Sequence, residues 1–129
     1  MRANRRRDTT PELALRRELW KAGLRYRVDA RVLAQVARRA DLSFRRERIA
    51  VFVDGCFWHM CSLHRTVPAT NREFWEAKLK ANRVRDLDTD RRLVAEGWLP
   101  IRLWSHEDPS VASIVVAEAV FQRRSARVR

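Results

Sequence analysis

Arg48-Ile49-Ala50-Val51-Phe52-Val53 runs straight into Asp54-Gly55. A short apolar run rich in β-branched and aromatic residues, bounded by an acid and a glycine, predicts a strand rather than a helix. Strict alternation would bury one face only. A strand that is apolar at nearly every position is buried on both faces, so it belongs at the centre of a sheet with helices over it. Just upstream, Ala40-Asp41-Leu42-Ser43-Phe44 reads as a second strand. Arg45-Arg46-Glu47 then makes a hairpin turn, although it lacks the preferred Gly or Asn. Leu24-Arg25-Tyr26-Arg27-Val28 alternates apolar with basic and predicts a further strand. Asp29 to Arg39 reads as an irregular connection with apolar anchors, and Trp98 to Trp104 as the last strand.

Helices fill the remainder. Asp8-Thr9-Thr10-Pro11-Glu12 is a helix start: a threonine caps, Pro11 suits the first turn and Glu12 suits the positive helix end. Leu13, Leu15, Leu19 and Trp20 continue it, and Gly23 stops it. Asn71 to Glu96 is one long helical pattern ended by Gly97, and Pro109 to Phe121 a final helix. Met1 to Arg7 reads as a basic arm and Arg123 to Arg129 as a basic tail. The order helix, three strands, helix, strand, helix predicts one α/β domain over residues 1–129, a central mixed sheet flanked by helices.

The chain has 129 residues, with 28 Lys plus Arg against 16 acids, a net charge of +12. Such a field favours a polyanionic partner. Five tryptophans and 46% hydrophobic residues argue against wholesale disorder. No apolar run reaches the ~18 residues of a membrane span, so no membrane partner is expected. The N-terminus lacks the apolar stretch of a secretory signal, and a cytoplasmic location is expected.

The cysteines and most of the histidines crowd together. Cys56, Cys61 and His64 offer three zinc-type ligands in one loop, and His106, after the last strand, offers a fourth for a tetrahedral site. The competing reading is two buried cysteines and surface histidines that merely coincide. His59 is left over, either a general base or acid near neutrality or a packed histidine. Asp41 lies within a strand pattern and Asp54 directly after one. An acid in a half-buried strand is costly unless paired or metal-bound. Two such acids, with Glu12 as a third oxygen donor, suit Mg2+, although each alone also reads as a capping or surface residue. Phe57-Trp58 and Phe74-Trp75 are aromatic pairs beside basic residues. Such pairs stack on bases or pack in a core; core packing is the expectation for Phe74 and exposure for Trp58 and Trp75.

Val51-Phe52-Val53-Asp54-Gly55-Cys56-Phe57-Trp58-His59 resembles the GCFWH core of the very short patch repair (Vsr) DNA mismatch endonucleases. Arg7-Asp8-Thr9-Thr10-Pro11-Glu12 resembles their RDTxxE, and Ala40-Asp41 their usual Pro-Asp. Val67-Pro68-Ala69-Thr70 with Glu73-Phe74-Trp75 and Lys78 resembles PxT...EFWxxK. Asn82 with Arg85-Asp86, and Glu96-Gly97-Trp98 with Trp104, complete the series in order.

The resemblance implies a restriction-endonuclease-like fold. It implies a Mg2+-dependent enzyme that nicks one DNA strand 5′ to the T of a T·G mismatch, in a cytoplasmic, nucleoid-associated setting with mismatch-repair proteins as further partners. Asp41 is then the Mg2+-binding aspartate, and Val53 lends a backbone carbonyl. His59 is the catalytic histidine and Glu12 the acid that works with it. Cys56, Cys61, His64 and His106 hold a structural Zn2+. Phe57, Trp58 and Trp75 form a wedge in the duplex, while Lys78, Arg7 and Arg85 contact DNA. Where the family often carries a second histidine before the glycine, this chain has Asp54; it either adds a carboxylate to the metal site or changes the acid-base arrangement. Nicking one strand needs one active site, so a monomer is expected. Two other readings stand: a nickase of the same fold with different specificity, and a non-catalytic zinc-stabilised DNA-binding module.

Overall fold

The computed structural model describes residues 10–33, 36, 38–55 and 71–128. The elements run α1 (Thr10–Lys21), β1 (Arg27–Arg31), β2 (Arg39–Phe44), β3 (Ile49–Asp54), α2 (Arg72–Ala95), β4 (Leu99–Trp104) and α3 (Pro109–Val128). The sheet order is β1-β2-β3-β4. The first two pairings are antiparallel, and β3 pairs with β4 in parallel. This is the mixed sheet with flanking helices that the strand at Ile49 predicts, and it is consistent with a restriction-endonuclease-like fold.

β3 is buried on both faces. Ile49 and Val51 join Leu15, Leu19, Leu42, Phe44, Val116 and Val120 in a core with α1 and α3. Ala50 and Phe52 join Leu33, Ala40 and Leu93 in a second core on the α2 side. The two faces thus tie α1 and α3 to one layer and α2 to the other.

The structure corrects several local expectations. β1 begins at Arg27 rather than Leu24. Leu24 instead closes α1: its N–H donates to the Leu19 carbonyl at 3.0 Å, that of Gly23 donates to Trp20 at 3.0 Å, and Gly23 takes φ 86°. That is a Schellman closure, which buries the residue after the glycine and leaves it outside the sheet. β1 in turn reaches Arg31, into the stretch expected to be irregular. Gly97, also at φ 86°, closes α2 in the same way with the Trp98 N–H on the Leu93 carbonyl.

The hairpin turn forms without Gly or Asn because Arg48 takes the left-handed position, φ 57°. The final helix extends beyond Phe121 to Val128, so the basic stretch from Arg123 is helical through Val128 rather than a tail. It has a task at that turn: Arg124 Nε pairs with the buried Glu47 carboxylate at 2.9 Å, and Arg123 donates to the Glu47 and Gly97 carbonyls. Along α2, Leu79, Thr89 and Leu93 are buried, whereas Val84, Leu87, Val94 and Phe74 are exposed. Core packing for Phe74 is therefore overturned. Among the described residues no helix is long and apolar enough to cross a membrane.

Leu19 is fully buried where α1 meets the core and its carbonyl closes the helix. Leu19→Ala is expected to destabilise the fold by about 2–5 kcal/mol, the cost of a cavity in a packed core, measured by urea unfolding.

Candidate active site

Antiparallel register sets the site. Leu42 pairs with Val51 and Ser43 with Ala50, so the start of β2 lies beside the end of β3. There the Val53 N–H donates to Asp41 Oδ2 at 2.7 Å. Asp54 follows directly, and parallel pairing sets it opposite Trp104 on β4. Asp41, Val53 and Asp54 line one cleft of about 350 Å³ with Gly55, Arg39, Asn82, Arg85, Asp86 and Arg102.

Glu12 enters from α1. It is only 1% exposed, and Arg16, one turn on, pairs with it at 2.8 Å. The Arg16 carbonyl is held in turn by the Tyr26 hydroxyl at 3.0 Å. Its partial neutralisation by Arg16 is what lets an acid sit so deep.

Asp41 feels all of this. Burial pushes its carboxyl up to about 7, the Val53 N–H pulls the other way, and the charges of Glu12, Asp54 and Asp29 push it further up. An acid with that environment gains most from a cation that offsets the crowded negative charge. The donors here are all oxygen, which suits a hard ion such as Mg2+. Among the described residues no three His, Cys, Asp or Glu side chains form a ready-made cage. Mg2+ does not need one: it is commonly held by one or two carboxylates, with waters and substrate phosphates filling the rest. Asp41 with the Val53 carbonyl fits that pattern.

The opposite wall of the cleft is basic and amidic. Arg85 and Asn82 reach it from α2. Arg38 binds β2's lead-in to α2, donating to Asp88 Oδ2 at 2.6 Å and Thr89 Oγ1 at 3.0 Å. Arg102 rises from β4 and donates to both Asp54 oxygens, at 3.2 and 3.3 Å, and to Asp90. Burial works against its charge, but the Asp90 bonds and the nearby Asp54, Asp86 and Asp90 charges more than compensate and raise its pKa.

Of the residues expected from sequence, Glu12, Asp41, Val53, Asp54 and Arg85 are thus brought to one region. Trp75 and Lys78 stand in the first turns of α2. Trp75 is half-buried and meets Phe74 edge-on at 5.2 Å, and Lys78 Nζ lies 5.8 Å from the Phe74 ring centre. His106 is exposed and stacks on Trp104 at 6.4 Å. Arg7, Cys56, Phe57, Trp58, His59, Cys61 and His64 lie outside the described residues. Sequence reasoning passed over Arg102. The signal was present, since it is the one charged residue in β4, and a charge inside an apolar strand demands a partner just as Asp41 does.

The sequence profile of a family described as "DNA mismatch endonuclease Vsr" matches residues 1–65. The type II nicking enzyme V.NaeI of Lentzea aerocolonigenes is 44% identical over 119 residues, 89% of this chain and 72% of its own. The type II nicking enzyme V.HpaIIP of Haemophilus parainfluenzae is 33% identical over 126 residues, 94% of this chain and 87% of its own. The DNA mismatch endonuclease Vsr of Escherichia coli strain K12 is 39% identical over 106 residues, 81% of this chain and 65% of its own.

The raised Asp41 carboxyl has a consequence for stability. Its folded-state pKa lies above the unfolded value, so its stabilising share is complete below about 4 and is lost as pH rises through about 7. In EDTA, Asp41→Asn is therefore expected to raise the melting temperature at pH 8 and to leave it nearly unchanged at pH 3.5. Melting curves of both proteins across that range give the check; equal melting temperatures at pH 8 would contradict the assignment.

Proposed function

The chain belongs to the Vsr family of DNA mismatch endonucleases and is an endonuclease that acts on DNA; from that premise we propose that it nicks one strand 5′ to the T of a T·G mismatch, with Mg2+. The observation that carries the reading is the Asp41 carboxylate held by the Val53 N–H at the end of the central strand, with Glu12 buried near enough to act on it.

Asp41 and the Val53 carbonyl are the groups that would hold the ion. When bound, Mg2+ supplies charge to offset the anionic transition state and makes water a better nucleophile. The chain's own residues do the rest. Asp41 is pinned by a backbone bond, so no reorganisation of that carboxylate is needed during reaction. His59 is the residue for proton transfer, and Glu12, buried and clamped by Arg16, is the acid that works with it. Arg85 and Asn82 face the same cleft and are placed to meet phosphate oxygens. Phe57, Trp58 and Trp75 are assigned to the wedge. Unstacking a mismatched pair costs less than unstacking a matched one, which gives a physical source of discrimination.

A separate Zn2+ at Cys56, Cys61, His64 and His106 belongs to the same reading, as a structural staple between these residues. A second functional reading is favoured by the relatives named type II nicking enzymes: a nickase of the same fold whose cutting does not follow the mismatch.

Nicking is tested on duplexes that differ only in T·G against T·A. The expected result is a single nick in the T·G duplex with Mg2+ and none with EDTA. Asp41→Asn is expected to lose about 10³-fold in rate, the loss of several kcal/mol of charge stabilisation. Equal cutting of both duplexes would select the second reading. Binding without cutting at any Mg2+ concentration would leave only a binding module. For zinc, metal analysis of the purified protein is expected to find about one Zn2+ per chain, lost in Cys61→Ala with a lower melting temperature. A metal content unchanged by that substitution would remove the cysteine from the site.

A further inference from the structure

Arg102 is the one charged side chain of β4. Through Nη1 it donates to both oxygens of Asp54 at 3.2 and 3.3 Å. Nε and Nη2 bind Asp90 at 2.9 to 3.0 Å, and Nη2 also meets the Asp86 carbonyl at 3.4 Å. The guanidinium lies 4.2 Å from the centre of the Phe52 ring, which restrains its plane. Its target is equally restrained. The Asp54 carbonyl accepts the Ser105 N–H at 2.9 Å, and Asp54 as a whole is 8% exposed.

Asp54 and Asp41 line the same cleft as Val53, whose carbonyl is assigned to the ion. A divalent cation beside two carboxylates would ordinarily draw on both. Here one of them is already spoken for by a planar cation that can engage two oxygens at once.

We propose that Arg102 is a positioning residue of this cleft: by holding both carboxylate oxygens of Asp54, it keeps that acid outside the shell of the ion held by Asp41 and the Val53 carbonyl. The inference rests on the ion-binding reading above and deepens it. It decides between the two roles open to Asp54 from sequence. Asp54 adds no ligand; its carboxylate is engaged by Arg102, and Asp41 remains the carboxylate that holds the ion.

The test is Mn2+ binding to the full chain, read by electron paramagnetic resonance, which needs no turnover. Asp54→Asn is expected to change affinity by less than about threefold, since an acid outside the shell contributes little. Arg102→Gln is expected to tighten binding by at least about tenfold, because a released Asp54 adds a charged ligand. That gain is expected to vanish in Asp54→Asn with Arg102→Gln, and Arg102→Lys, a point charge without the planar fork, is expected to show part of the gain. Should Arg102→Gln fail to fold, Asp54→Asn and Arg102→Lys carry the decision. Binding weakened more than about tenfold by Asp54→Asn alone makes Asp54 a ligand and overturns the proposal. A gain that persists in the double variant reduces Arg102 to a distant charge and overturns it too. If the parent chain binds no Mn2+ at millimolar concentration, the ion-binding reading fails first, and this inference with it.

Discussion

A carboxylate drawn into a sheet is an expensive arrangement even when it accepts the backbone N–H of the next strand, and the site is built around one. The Val53 N–H is the donor, Asp41 the acceptor. The bond exists because β2 and β3 run antiparallel, in a register that lays the start of one beside the end of the other. That register is enforced by the core. A slip of one residue would turn Ile49 and Val51 away from α1 and α3 and bring Ala50 and Phe52 in their place. The packing of β3 on both faces therefore places Asp41 as firmly as it places any leucine. The energetic cost is visible in its carboxyl, which burial and three neighbouring acids push up to about 7.

The charge distribution suits a polyanion in two different ways. The chain as a whole carries +12, which draws a phosphate backbone from a distance and does so less well as salt rises. Within the cleft Asp41 stands near Asp54 and feels the charges of Glu12 and Asp29, an acidic centre set among Arg38, Arg39, Arg85 and Arg102. A bare acidic centre would repel the phosphodiester that the surface attracts. A hard cation resolves the conflict, since it satisfies the carboxylates and presents positive charge to the phosphate. Arg102 tempers the same conflict on the β4 side by covering Asp54.

Much of this was legible in the residues, and the parts that were not have physical reasons. The continuous apolar run at Ile49 gave away a central strand, and the acid inside the strand pattern at Asp41 gave away a residue in need of a partner. Leu24 misled because a Schellman closure and an edge strand both ask for an apolar residue after glycine. The end of α3 misled because a run of arginines looks solvated until a buried Glu47 is found beneath it, 77 positions earlier in the chain. Phe74 misled because an aromatic in a helical pattern carries no sign of how narrow the buried stripe is. For Arg102 the need of a partner was legible from its apolar strand, but the partners were not, since they lie on β3 and α2 and no spacing rule links them.

That narrow stripe explains how α2 is attached. Over 24 residues it buries only Leu79, Thr89 and Leu93, so apolar packing alone holds it weakly on the sheet. The shortfall is met by ion pairs that flank the buried stripe on either side. Asp90 takes Arg102 from β4, and Asp88 takes Arg38 from the approach to β2. Asp88 also pairs with Arg92 along the helix, and these two arginines hold its carboxyl below the ordinary range. Exposed pairs of this kind contribute little singly, whereas the partly buried Arg102 would be costly to leave without its partners. The acids of α2 thus have two duties that cannot be separated: they dock the helix, and they fix the cations that form the basic wall of the cleft. A helix joined to its sheet mainly by apolar contacts would leave that wall without a frame, which is why a surface helix so polar stands next to the proposed chemistry.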